Sequence, residues 1–222
     1  MQQRVIKASV IDIIGAKRAS AYRKVLNLEE KESWQLWVPS DIDKSKPVGL
    51  MVYVSPQESG ELPESWRPVL SQQNMLWIGI DNAGNKRLAK ERILLAVLAP
   101  MLAMKYYLVA PSRTYIAGTS GGGRVASQLM SLAPESFSGA MYMVGVDKLP
   151  RVSRPQLGTL KEKRFVFITG SKDFNRKETR RVYKKYLRKG IVNSYLLDVE
   201  GAGHALPSAD SIEKSLVYLD GK

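Results

Sequence analysis

Apolar positions along the chain fall into short runs punctuated by Gly, Pro, Asn, Asp and Ser, and the later runs are nearly continuous rather than alternating. Their length and β-prone composition predict strands at 34–38, 50–54, 76–80, 115–117, 140–146, 165–169 and 195–199. Between them, apolar residues recur three and four positions apart, which predicts helices at 64–72, 87–107, 123–132, 177–189 and 209–219. Strands that are apolar on both faces belong to a parallel sheet covered on both sides. Strand–helix alternation then predicts a three-layer α/β domain over 33–222, with a mostly parallel central sheet flanked by helices. Residues 1–32 follow neither period well, and a helix, an extra strand or a loose arm all fit them.

In an open α/β sheet, ligands bind beyond the carboxyl ends of the strands, so the residues that follow each strand carry the chemical information. Gly118-Thr119-Ser120-Gly121-Gly122 follows one apolar strand and opens a helix with Val125, Ala126, Leu129 and Met130 on one face. This is G-x-S-x-G in the strand–turn–helix context of a nucleophile elbow, where a tight turn lifts the serine hydroxyl clear of the sheet. The bland alternative is a Gly-rich turn that caps a helix or holds a phosphate. A P-loop is excluded because no Lys-Ser or Lys-Thr follows these glycines, and a dinucleotide fingerprint belongs at a first strand–helix turn, not mid-chain.

The sole histidine, His204, follows the last predicted strand in Gly203-His204-Ala205-Leu206-Pro207. A serine needs a base to become a nucleophile near neutral pH, and an imidazole supplies one. A lone histidine is more often structural, but its place after the last strand in the chain order Ser…Asp…His makes Ser120 the expected nucleophile and His204 the expected general base. For the acid that orients the imidazole, Asp173 after the penultimate strand is preferred. Asp147, one strand earlier, is the next candidate and Asp198 a third; a turn-forming role is the alternative for each.

These residues resemble the α/β-hydrolase superfamily, and more closely its esterase branch of polyhydroxybutyrate depolymerase-like and feruloyl esterase-like proteins. The resemblance runs from about Trp34 to the C-terminus. It rests on Trp37-Val38-Pro39, the 87–107 helix leading into the stretch from Ser112 to Gly123, the turn from Gly170 to Asp173, and the His204 loop. It implies hydrolysis of small-molecule or polymeric carboxylic esters through an acyl-serine, with no metal and no cofactor. It also implies an oxyanion hole in which the Gly121 N–H is one donor and the exit of the second strand supplies the other. There the chain departs from the His-Gly usual in the family and has Ser55-Pro56-Gln57. Pro56 has no N–H, so Gln57 is the expected second donor, with Ser55 the alternative. Family members are often secreted or periplasmic, which points to a removed leader, since the first residues lack the apolar stretch of a signal peptide. A cytoplasmic location fits as well.

Length leaves no room for a sizeable cap, so an open, shallow site is expected, with Tyr53, Trp77, Tyr142 and Phe174 near strand ends to line it or to pack in the core. Two other functions remain: a serine peptidase-like acyl hydrolase, and a non-catalytic module that binds acidic polymers. Composition narrows the chemistry further. With no Cys and one His in 222 residues, thiol nucleophiles, disulfides and His- or Cys-rich metal sites are excluded. The longest uncharged apolar run, 93–104, is interrupted by Pro100 and is too short to span a bilayer, so it reads as a buried core helix. Charge is uneven. The chain carries +13 overall, and between 161 and 190 twelve Lys and Arg face three Asp and Glu. Most of that excess lies on the 177–189 helix, either as a footprint for an anionic surface or as a solvated face. No nucleic-acid motif accompanies it, and nucleic acid is not the expected partner.

Overall fold

The computed structural model describes residues 2–43 and 45–222; Met1 of the N-terminal segment and Lys44 lie outside the described residues. Eight strands form one sheet in the order β1-β2-β4-β3-β5-β6-β7-β8. They are β1 (Gln2–Ala8), β2 (Glu32–Val38), β3 (Val48–Val54), β4 (Met75–Ile80), β5 (Val109–Thr119), β6 (Gly139–Met143), β7 (Arg164–Gly170) and β8 (Ser194–Val199). β1 and β2 run antiparallel to their neighbours, and every pair from β4 through β8 is parallel.

Alternation along each strand divides the interior in two. Leu50, Val52 and Val54 face one core while Met51 and Tyr53 face the other; Leu76, Ile78 and Ile80 oppose Met75 and Trp77 in the same way. The first core is closed by α1 (Val10–Ala19), α3 (Ala89–Ala103), α4 (Gly121–Leu132), α5 (Arg154–Glu162) and α6 (Arg176–Arg188). The second is closed by α2 (Arg67–Gln72) and α7 (Ala209–Leu219). This is the expected three-layer α/β architecture with a mostly parallel central sheet. No sizeable cap covers the carboxyl end of the sheet among the described residues. The 93–104 run forms most of α3, with Pro100 inside the helix and buried, and no described helix is long and apolar enough to cross a membrane.

Three local differences from the sequence pattern have physical causes. The segment before residue 32 forms edge strand β1, paired to β2, and α1, which starts with a capping box between Ser9 and Asp12. Helix α5, absent from the expected set, is likewise started by a capping box, between Ser153 and Gln156. The strand expected over 140–146 ends at Met143, because Val144 adopts φ 46° and turns the chain.

The sheet reverses its winding between β3 and β5: β4 lies on one side of β3, and β5 through β8 lie on the other. The crevice at such a switch point is where this architecture places ligands, and the exits of β3 and β5 are Ser55 and Ser120.

Candidate active site

Ser120 joins β5 to α4 at φ 53° and ψ −118°, a region sparsely populated by any residue with a side chain. Close backbone approach fixes the turn. A Cβ on Gly118 would lie 2.3 Å from the Gly122 carbonyl, and one on Gly122 would lie 1.8 Å from the Val54 carbonyl oxygen. Only glycine fits at either place. The Ser120 N–H donates to the Met143 carbonyl at 2.8 Å, tying the turn to the end of β6.

His204 reaches the same point from the loop between β8 and α7. Its Nε2 lies 3.0 Å from Ser120 Oγ, and its Nδ1 lies 2.8 Å from Asp173 Oδ1. A carboxylate can only accept, so Nδ1 carries the proton and Nε2 offers its lone pair to the serine hydroxyl. The Asp173 side chain is fully buried. It also accepts from the Thr169 hydroxyl at 2.8 Å and the Asn175 N–H at 3.0 Å, so neither oxygen is left without a donor. The imidazole is half-buried and stacks against Phe174, with ring centroids 4.0 Å apart. Its loop is anchored at both ends: the Lys172 N–H donates to the Ala202 carbonyl, and the Trp66 indole N–H to the Pro207 carbonyl, both at 2.9 Å.

Asp147 and Asp198 face elsewhere. Asp147 accepts from Arg124 at 3.0 Å and from Gln128, and its N–H is held by Ser127 Oγ. Asp198 is clamped by Arg176 and Arg180. Arg124 also pairs with Glu178 at 2.5 Å.

Gly121 is the first residue of α4, so its N–H has no acceptor within the helix and is free to point at a ligand. Opposite it, the loop after β3 is tightly held. The Gln57 N–H donates to Ser55 Oγ at 3.0 Å, and the Ser55 carbonyl accepts from the buried Arg92 guanidinium at 2.9 Å. Tyr53, beneath this loop, donates to Thr119 Oγ1 at 3.0 Å; burial pushes its phenol pKa up, partly offset by hydrogen bonds with Thr119 and Ser55.

A cavity of about 460 Å³ opens over these groups, lined among others by Tyr53, Ser55, Gln57, Asn85, Ser120 and His204. Of the four aromatics near strand ends, Tyr53 alone lines it. Trp77 is buried against Tyr53 and Trp66, Tyr142 against Phe165, Phe167 and Tyr186, and Phe174 covers the imidazole. Two residues that the motif pattern did not single out stand beside the serine. Asn85 Oδ1 fills the space where a Gly121 Cβ would be, at 1.9 Å from that position; its place on a strand exit was the available signal. Val144 also lines the cavity at φ 46°, held by its N–H on the Ile168 carbonyl and its own carbonyl on Asn175 Nδ2, both at 2.8 Å. Nothing in the local sequence announces a left-handed valine.

No protein-family model matches the chain, and no curated protein matches its sequence. Solved structures do match its shape. A ferulic acid esterase superposes with a TM-score of 0.69 at 15% identity, covering 99% of this chain and 98% of that one. S-formylglutathione hydrolase from Staphylococcus aureus gives 0.66 at 11% identity, covering 99% and 96%. The feruloyl esterase module from Clostridium thermocellum complexed with sinapinate gives 0.63 at 15% identity, covering 98% and 86%. The fold is that of the α/β-hydrolases. Within the α/β-hydrolase fold, the β5–α4 turn, the β7 exit and the β8–α7 loop converge on one point, and here they bring Ser120, Asp173 and His204 together.

Proposed function

We propose that this chain is a serine hydrolase that cleaves carboxylic esters through an acyl-serine intermediate. The observation that carries the proposal is the series of hydrogen bonds Ser120 Oγ–His204 Nε2–Asp173 at the floor of an open cavity. Ser120 attacks the ester carbonyl carbon as His204 Nε2 takes its proton, and Asp173 stabilises the imidazolium through Nδ1–H. The carbonyl oxygen becomes an oxyanion facing the Gly121 N–H, with Gln57 as the proposed second donor once its N–H turns from Ser55 Oγ toward the substrate. Collapse of the tetrahedral intermediate expels the alcohol, which takes the proton from His204. Water, activated by the same imidazole, then releases the carboxylic acid and restores Ser120.

The structural neighbours that bear esterase names support an ester as substrate. The open cavity and the lack of a sizeable cap among the described residues favour an acyl or alcohol group that projects into solvent, as on a bulky or polymeric ester.

The test is turnover of p-nitrophenyl acetate by wild type and Ser120→Ala. The variant is expected to lose about 10⁴-fold or more in kcat, because removing the nucleophile leaves only binding and oxyanion contributions. Wild type is expected to incorporate one fluorophosphonate per chain at Ser120. Equal turnover by the two proteins overturns the proposal.

A further inference from the structure

Helix α6 carries a feature that ester hydrolysis does not use. The side chains of Lys177, Arg180, Arg181, Lys184 and Arg188 wall a groove of about 320 Å³ on its outward face, and all five are exposed. The nearby acids are already committed. Glu178 pairs with Arg124 at 2.5 Å and with Arg181 at 3.8 Å, and Asp198 holds both Arg176 and Arg180. Lys177, Lys184 and Arg188 have no anionic partner among the described residues.

Residues 177 and 181, 180 and 184, and 184 and 188 are like-charged and four apart, a spacing at which side chains on a helix face one another and like charges destabilise it. Lys177 adds a cation at the N-terminal turn, where the helix dipole disfavours it. An anionic group seated between successive cations turns each repulsion into two attractions. The row from 177 to 188 extends for about 16 Å at the helical rise, with a cation at roughly each turn, which matches a linear polymer bearing regularly repeated acidic groups.

We propose that the outward face of α6 is a binding site for a linear acidic polysaccharide. Arginine forks recognise carboxylates in two-point fashion and lysines add point charge. The groove has no aromatic ring on which bases would stack, since Tyr186 is buried and Tyr183 packs against Phe167. Nor does α6 offer an apolar face to a bilayer, because Val182 and Tyr186 are turned into the core and Leu187 alone among its large aliphatic side chains is exposed. The proposal stands apart from the esterase reading, and its test does not use ester turnover as the readout.

Polygalacturonate is titrated into wild type at low salt by calorimetry, alongside two variants that each lose four charges. One is Lys177→Ala, Arg181→Ala, Lys184→Ala, Arg188→Ala. The other is Arg18→Ala, Arg23→Ala, Lys24→Ala, Lys31→Ala, on the exposed surface of the N-terminal segment. The groove variant is expected to bind at least tenfold more weakly and the second variant within twofold of wild type, with both retaining wild-type circular dichroism. Wild-type affinity is expected to fall as salt screens the exposed charges. Absence of wild-type binding, equal loss in both variants, or tighter binding to oligothymidylate or to phosphatidylserine vesicles each overturns the proposal.

Discussion

Arg92 is the only buried Lys or Arg among the described residues, and it lies directly behind the loop that faces the Ser120 hydroxyl. Burial lowers its pKa, with the charge of Glu58 opposing that shift, and its Nε has no partner. A cation kept in so poor an environment contributes little to stability, because its desolvation offsets what its one hydrogen bond returns. What it does provide is a fixed position for the Ser55 carbonyl, and through it for Ser55, Pro56 and Gln57. We therefore expect Arg92→Met to separate stability from activity. The Tm stays within about 3 °C, roughly 1 kcal/mol for a chain of this size, whereas kcat for p-nitrophenyl acetate falls about tenfold or more and KM changes less than threefold. A loss of folding in step with the loss of activity gives Arg92 a merely structural role. Sequence alone placed 87–107 on a helix but gave no sign that this arginine points inward. Ser120 and His204, by contrast, were legible because close backbone packing requires the glycines around the serine and because the chain has a single imidazole.

At the level of elements, the parts visible in the sequence are those with two buried faces. β3, β4 and β7 have nearly every residue inside, so their apolar runs stand out. β1 is an edge strand in which Val5 is exposed while Ile6 and Ala8 point inward, and α5 buries only Leu160; neither leaves a strong periodic trace. The first half of β5 is similar. Pro111 and Ser112 are exposed and the pairing with β3 shifts register there, so only 115–117 read as strand. That irregular half nevertheless carries a cross-element tie. Arg113 grips Asp220 at the end of α7 with Nε at 2.9 Å and Nη2 at 2.8 Å, and donates to the Gln73 carbonyl after α2, while the Tyr115 hydroxyl donates to Asp220 at 2.8 Å. Burial raises the Asp220 pKa, but the hydrogen bonds from Arg113 and Tyr115 outweigh it and hold the carboxyl below its ordinary value. A carboxylate held below its unfolded pKa adds stability above the ordinary carboxylate range, and that stability is lost as pH falls through the depressed value. Asp220→Asn is accordingly expected to cost about 2–4 kcal/mol in urea unfolding at pH 7, since it leaves the guanidinium without its counter-charge. The deficit should shrink when unfolding is repeated at a pH below the ordinary carboxylate range, as the depressed value is approached. A deficit equal at both pH values shows that Asp220 acts by shape and neutral hydrogen bonding rather than by charge.

Across the whole molecule, an excess of +13 on 222 residues opposes compaction, and the strongest concentration of it lies on the outward face of one helix, α6. The ties that hold the site and α7 are sheltered: the Asp173 side chain is fully buried and that of Asp220 nearly so. Salt therefore acts unevenly. It screens repulsion between exposed cations over a Debye length of about 10 Å at 0.1 M, but weakens buried pairs much less. Exposed pairs such as Lys214–Asp210 also weaken, yet solvated pairs of this kind contribute little to stability, and cations outnumber the acids available to pair with them. The Tm at pH 7 is thus expected to rise by about 2–4 °C between about 20 and 300 mM NaCl, equivalent to about 1 kcal/mol. The four-alanine variant of the α6 groove begins with much of that repulsion removed, so its Tm should start higher and rise by less than half as much. A Tm that is flat or falls with salt, or a variant that responds as wild type does, shows that the repulsion on α6 is already relieved within the folded chain and that its cations give an anionic partner no electrostatic strain to release.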